Sequence, residues 1–127
     1  MSGKSRPVFD ASAVLALMQN ETGADRLDRV RKGARVSAVS VAEVLAKLVA
    51  KGMPQDLAVA ALDALHLEVA AFEPADAVLS AAYVAKDVSL GDRCFLACAH
   101  TNGTGWTADH DLGGIAGSLL PPLKMFR

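Results

Sequence analysis

Short apolar runs alternate with longer helical patterns along this chain, and that rhythm restricts the folds open to it more than any other feature. "PVF" (7–9) is a first strand and "ASAVLALMQ" (11–19) the helix behind it. "GADRLDRVRKG" reads as a second helix closed by Gly33. The β-branched run "ARVSAVS" (34–40) supplies strand two, and "VAEVLAKLVAKG" a helix that Gly52 ends. "PQDLAVAALDALH" sets Pro54 at a helix start, where its missing N–H is no loss. "LEVAAF" is strand three, "EPADAVLSAAYVAKD" and "SLGDRCFLACAHTNG" are helices, and "GTGWTAD" is strand four. "LPPLKMF" makes a short edge strand, where prolines are tolerated. Strands separated by helices build βαβ units. The expected class is therefore α/β, a three-layer sandwich with a mainly parallel central sheet flanked by helices. The 127 residues show no linker, repeat or low-complexity stretch, so a single domain over 1–127 is expected.

Composition narrows the function classes. The apolar fraction is 52%, but no uncharged apolar run approaches the roughly 18 residues of a membrane span. The polar start "MSGKSRP" leads straight into a strand and does not resemble a signal peptide, so a cytoplasmic protein is expected. Cys94 and Cys98 lie four apart in a helical pattern, which is neither a redox nor a zinc spacing, and both read as small core residues. His66, His100 and His110 form no HxxxH or HExxH pair. Phosphate-binding glycine loops and the G-x-S-x-G elbow are absent from the sequence. A net charge of −1 argues weakly against a basic nucleic-acid surface. If several of the 14 acids converge on a cation, however, the rest of the surface is net positive. The basic cluster "RLDRVRKGAR" (26–35) reads as a solvated helix end.

In an open parallel sheet, ligands bind outside the carboxyl ends of the strands. Four acids fall there: Asp10 ends strand one, Glu43 sits in the first turn of the helix after strand two, Asp92 begins the helix of "GDRCFLACA", and Asp109 ends strand four. Each alone has an architectural reading. Asp10, Asp92 and Asp109 suit N-caps, and Glu43 can pair with Lys47 four residues on. Gathered at one sheet edge, they would repel and raise one another's pKa values unless something neutralised them. A divalent cation does so, and oxygen-only donors suit Mg²⁺ or Mn²⁺, not Zn²⁺.

"VFDASAVLAL", "SAVSVAEVLAKL", "VSLGDRCFLACA" and "WTADHDL" occur in order and together resemble the PIN domain, more narrowly the VapC-type toxins of bacterial toxin–antitoxin pairs. The resemblance runs from about Pro7 onward. It implies a Mg²⁺-dependent endoribonuclease, homodimeric, acting as a toxin on RNA and restrained by a small cognate antitoxin. On this chain the family's acids carry over to Asp10, Glu43, Asp92 and Asp109. Asp10 and Asp92 are the core metal ligands, and Glu43 and Asp109 act directly or through water. Ser12 and Thr107 match the family's supporting hydroxyls. The last motif continues with His110, where relatives often carry a basic residue, and Asp111 offers a second acid beside Asp109. An alternative is a non-catalytic PIN-like module that binds nucleic acid or protein. A phosphohydrolase or phospho-acceptor domain ranks last, because Asp10 is followed by Ala11-Ser12 with no adjacent acid.

Overall fold

The computed structural model describes residues 6–115 and 119–127. In chain order the elements are β1 (Arg6–Phe9), α1 (Ala11–Gln19), α2 (Ala24–Val30), β2 (Arg35–Ser37), α3 (Ala38–Ala50), α4 (Gln55–Asp63), β3 (Glu68–Ala70), α5 (Pro74–Ser80), α6 (Leu90–Asn102), β4 (Gly103–Thr107) and β5 (Leu123–Met125). Single 3₁₀ turns cover Ala81–Tyr83 and His110–Gly114. The strands form one sheet in the order β3-β2-β1-β4-β5, and every pairing is parallel. The α/β sandwich expected from the sequence is the observed architecture. The chain steps outward from β1 to β2 to β3, then returns to the far side of β1 with β4. The order reverses between β1 and β4, which opens a crevice at their carboxyl ends.

Successive strand residues point to opposite faces, and the two cores follow from that period of two. Phe9 stands in register with Val36 and Trp106, and all three pack against α1 to α4 with Val14, Leu27, Val44, Leu48 and Leu62. Val8, one residue back, joins Phe95, Leu96, Ala99 and Tyr83 on the other face, under α6. Gly105 lies beside Val8 in β4. A Cβ there would fall 2.7 Å from Phe95 Cζ and 2.8 Å from Leu123 Cδ2, so the bare backbone lets α6 sit close on the sheet. Both cysteines are buried in α6 as unpaired thiols, and burial pushes Cys98 up to about 11.

Several boundaries differ from the sequence reading: strand four ends at Thr107, two residues before Asp109, and two larger differences follow, one of which moves Glu43. Strand two is only Arg35–Ser37, because Ser37 caps α3 by accepting from Val39 N at 3.2 Å. The β-branched Val39 and Val41 sit in the helix, so Glu43 lies in its second turn, not its first. The helix expected over 73–87 stops at Ser80. Beyond it the chain turns so that buried Tyr83 can donate its hydroxyl to Leu119 O at 2.5 Å, and Asp87 takes a left-handed φ of 63°. Most of the basic cluster at 26–35 is tied down: Arg29 pairs with Asp25, Arg31 with Asp28, and Arg35 with Glu68.

Candidate active site

Asp10 occupies the hinge between β1 and α1, extended at φ −84° and ψ 179°. Its N–H donates to Trp106 O at 3.2 Å, which ties the end of β1 to β4 and points the side chain into the crevice between them. Asp10 is 8% exposed, and its carboxylate is heavily engaged. Oδ1 accepts from Ser12 Oγ at 2.6 Å and Ala13 N at 2.9 Å, and Oδ2 accepts from Thr107 Oγ1 at 2.5 Å. The two hydroxyls are themselves fixed from β4's end. Ser12 Oγ accepts from Ala108 N at 3.2 Å, and Thr107 Oγ1 accepts from Asp109 N at 3.0 Å. Ser12 and Thr107, 95 positions apart in the chain, thus brace one carboxylate from both sides.

A cleft of about 240 Å³ opens beside it, lined by Asp10, by Ala11 and Ser12 from α1, Ser40, Glu43 and Lys47 from α3, Ser89, Gly91, Asp92 and Phe95 at the start of α6, and Asp109. The four acids picked out in the sequence, Asp10, Glu43, Asp92 and Asp109, therefore share one cavity, although they come from four separate segments. Asp111 does not join them. It lines the neighbouring depression with Lys86 and Leu112, which Asp109 also borders.

Local architecture places each side chain. Asp92 completes a capping box at the start of α6: Ser89 Oγ accepts from Asp92 N at 3.1 Å, while Asp92 Oδ2 accepts from Ser89 N at 3.1 Å. Asp109 caps the following 3₁₀ turn by accepting from Asp111 N at 2.9 Å. Glu43 reaches across to α6, where a Cβ at Gly91 would collide with its carboxylate. Glycine at 91 is thus the space that Glu43 fills. The capping roles anticipated for the aspartates are partly real, and they coexist with the shared cleft.

Electrostatically the site is strained toward neutrality. Burial raises the pKa of Asp10 above its ordinary value, the bonds from Ser12, Thr107 and Ala13 pull it back, and the Asp92 charge adds to the rise. Glu43 is also raised, first by burial, with Asp92 and Asp10 adding to it and Lys47 opposing. Among the described residues no three acidic, histidine or cysteine side chains stand close enough to ligate one ion directly. The donor set is nonetheless all oxygen, negatively charged and only partly neutralised by Lys47. It fits a hard divalent cation held largely through its waters, for which the cleft has room. Ser40 and Lys47 are among the lining residues that sequence reasoning did not assign to the site. Ser40 reads in the sequence as the end of strand two and carries no signal of a site, and Lys47 stands out only as a helix-face partner of Glu43.

The sequence matches the family model described as PIN domain over residues 8–117. None of the curated proteins matches it significantly. Among solved structures, the fold is similar to a chain in the crystal structure of VapBC2 from Rickettsia felis bound to a DNA fragment from their promoter. The TM-score is 0.71 at 15% identity, covering 94% of this chain and 97% of that one. The family match begins inside β1, ends beyond the last acidic turn and takes in all four cleft carboxylates: the chain belongs to the PIN domain family.

Proposed function

We propose that this protein is a metal-dependent endoribonuclease, the toxin of a toxin–antitoxin pair, and that the cleft at the β1/β4 switch point is its active site. The observation that carries the reading is the meeting of Asp10, Glu43, Asp92 and Asp109 in one cavity, with Asp10 buried and braced by Ser12 and Thr107. Architecture alone does not call for that. A cap at position 10 would serve equally as a neutral Asn or Ser, without the cost of a buried charge next to other acids.

Asp10 and Asp92 are assigned as the principal holders of Mg²⁺, with Mn²⁺ as its substitute, and Asp109 as the third. Glu43, from α3 with its carboxylate against Gly91, has a raised pKa that suits it to receive or hold a proton near the reacting water. When bound, a divalent cation lowers the pKa of water and offsets charge on the phosphoryl oxygens. Ser12 and Thr107 keep Asp10 in one rotamer by donating to both of its oxygens. Lys47, at the rim, supplies the cleft's own positive charge for a phosphate approaching four acids.

The partner reading rests on surface chemistry and on the fold. The Rickettsia felis structure is of a VapBC pair. On the α1–α4 side, Leu15, Leu17, Met18 and Leu45 are only partly buried, and Val49 and Leu57 are 44% and 57% exposed. This apolar face suits an antitoxin segment and a homodimer contact, and an antitoxin arginine reaching the cleft would bind its carboxylates bidentately. No helix among the described residues is long and apolar enough to cross a membrane, which fits action on RNA in the cytoplasm.

Incubating the purified protein with total RNA, in Mg²⁺ or in EDTA, and mapping new 5′ ends tests the enzyme. Discrete ends that appear only with Mg²⁺ are expected, and their absence from an active-concentration series would exclude the nuclease. Expression alone is expected to stop growth, and co-expression with the adjacent small gene to restore it. Harmless accumulation of soluble protein would remove the toxin assignment and leave a milder RNase.

A further inference from the structure

Ser40 is a buried polar group that neither the packing nor the proposed reaction uses. It lies in the first turn of α3 and is 0% exposed, and its Oγ has no hydrogen-bond partner among the described residues. A serine inside a helix can settle its hydroxyl on the carbonyl four residues back. Here it does not. The residue forms part of the wall of the acidic cleft, three residues before Glu43 and therefore on the same helix face. A buried hydroxyl left unpaired disfavours the fold, so its persistence at a cavity wall points to a partner that enters from outside the chain.

The neighbours say what that partner is. The cleft's carboxylates offer only acceptors, whereas a hydroxyl can both donate and accept. Among the described residues no three acids are close enough to ligate an ion directly, and the cavity holds more than a bare ion. A cation that keeps several waters satisfies both conditions, because its waters donate to the carboxylates and to a hydroxyl oxygen alike. A phosphate oxygen is the poorer match, since among the described residues it would meet a cavity of four acids with Lys47 as the one cation lining it.

We propose that Ser40 is a positioning residue for the hydration shell of the cation, its Oγ accepting from a water that the ion brings into the cleft beside Glu43. The inference rests on the metal reading above. It makes Ser40 the group on α3 that fixes where a hydrated ion sits, while Glu43 meets the same shell as charge.

Isothermal titration with Mn²⁺ and thermal unfolding of the cation-free protein, on wild type, Ser40→Ala and Ser40→Thr, test it. Ser40→Ala is expected to bind Mn²⁺ about tenfold more weakly, as loss of an outer-shell partner does. Its cation-free melting temperature should be unchanged or higher, because an unpaired buried hydroxyl has gone. Ser40→Thr keeps the hydroxyl and should restore affinity. Wild-type Mn²⁺ affinity in Ser40→Ala overturns the proposal and leaves the cation site standing; if its KM for RNA rises at the same time, the hydroxyl serves a phosphate instead. A large fall in cation-free stability marks Ser40 as structural and also overturns it, as does a Thr variant as weak as Ala. Failure of the wild type to bind Mn²⁺ removes the metal reading, and this inference with it.

Discussion

The two ends of the same sheet handle charge in opposite ways. Where the strands begin, Glu68 accepts from Arg6 at 2.5 Å and from Arg35 at 2.6 Å. Arg35 also donates to Asn102 Oδ1 at 2.5 Å, and Arg6 to Gly33 O at 2.9 Å. The network ties β1, β2, β3 and the end of α6 together, and the Arg6 hydrogen bond leads in holding the Glu68 carboxyl below its ordinary value. Where the strands finish, four acids share a cleft with one lysine among the described residues, and burial and mutual repulsion raise Asp10 and Glu43. Opposite charges that close on one another are architecture. Like charges gathered and left open are a standing demand for a cation, which is why the carboxyl end is read as the chemical one.

The largest effect separating the ends is expected from Asp10→Asn or Asp92→Asn. Each should lower RNA cleavage by about a thousandfold or more, the scale of several kcal/mol of lost transition-state stabilisation. Asn still caps α1, so circular dichroism and the melting temperature of the cation-free Asp10→Asn protein should not fall. Cleavage near the wild-type level in both variants would sink the assignment. Asp109→Asn should cost much more activity than Asp111→Asn, since only Asp109 faces the cleft.

A smaller effect is expected from Gly91→Ala. The new Cβ displaces the Glu43 carboxylate, and cleavage should fall by about tenfold, or roughly 1.4 kcal/mol of barrier. Stability should hold, because Ala favours a helix over Gly by about 1 kcal/mol. Loss of stability with activity intact would place the Gly91 contact in packing, not in the site. Least of all, Glu68→Gln at the other end should leave cleavage unchanged and lower the urea midpoint slightly, since such exposed pairs contribute little. A clear fall in cleavage would couple the two ends.

Much of this contrast could be read before the fold was known. Asp10 and Asp109 each close an apolar run, and Ser12 and Thr107 stand beside them in the motifs that resemble PIN domains. The alternation of strands and helices carried the sandwich. The strand order was not legible, because nothing local says that β4 returns to the far side of β1. The sequence reading starts α3 at Val41 because Ala38, Val39 and Ser40 continue the strand-like run, and the deciding contact is the Ser37 cap. Ser40 had no signature at all: its meaning lies in burial without a partner, which only packing creates. The clamp of Arg6, Arg35 and Glu68 joins residues up to 62 apart, so only Arg35 stands out in the sequence, as the end of the basic cluster at 26–35.

The ends also differ in the sign of their pH dependence. At Asp10 the folded pKa lies above the ordinary 3.8, so between the two values the folded state holds a proton that the unfolded state has released. Cation-free stability is therefore lost as pH rises through that window, and Glu43, raised above 4.5, adds to the loss. Glu68, lowered from 4.5, contributes stability that is present above 4.5 and lost as pH falls through its folded value. Urea unfolding of wild type and Asp10→Asn at about pH 5 and about pH 7, with and without Mg²⁺, tests the central claim most directly. The account predicts that Mg²⁺ raises the wild-type midpoint at about pH 7, does so less at about pH 5 where protons compete, and barely moves Asp10→Asn. A wild-type midpoint indifferent to Mg²⁺, or an equal shift in Asp10→Asn, would contradict it.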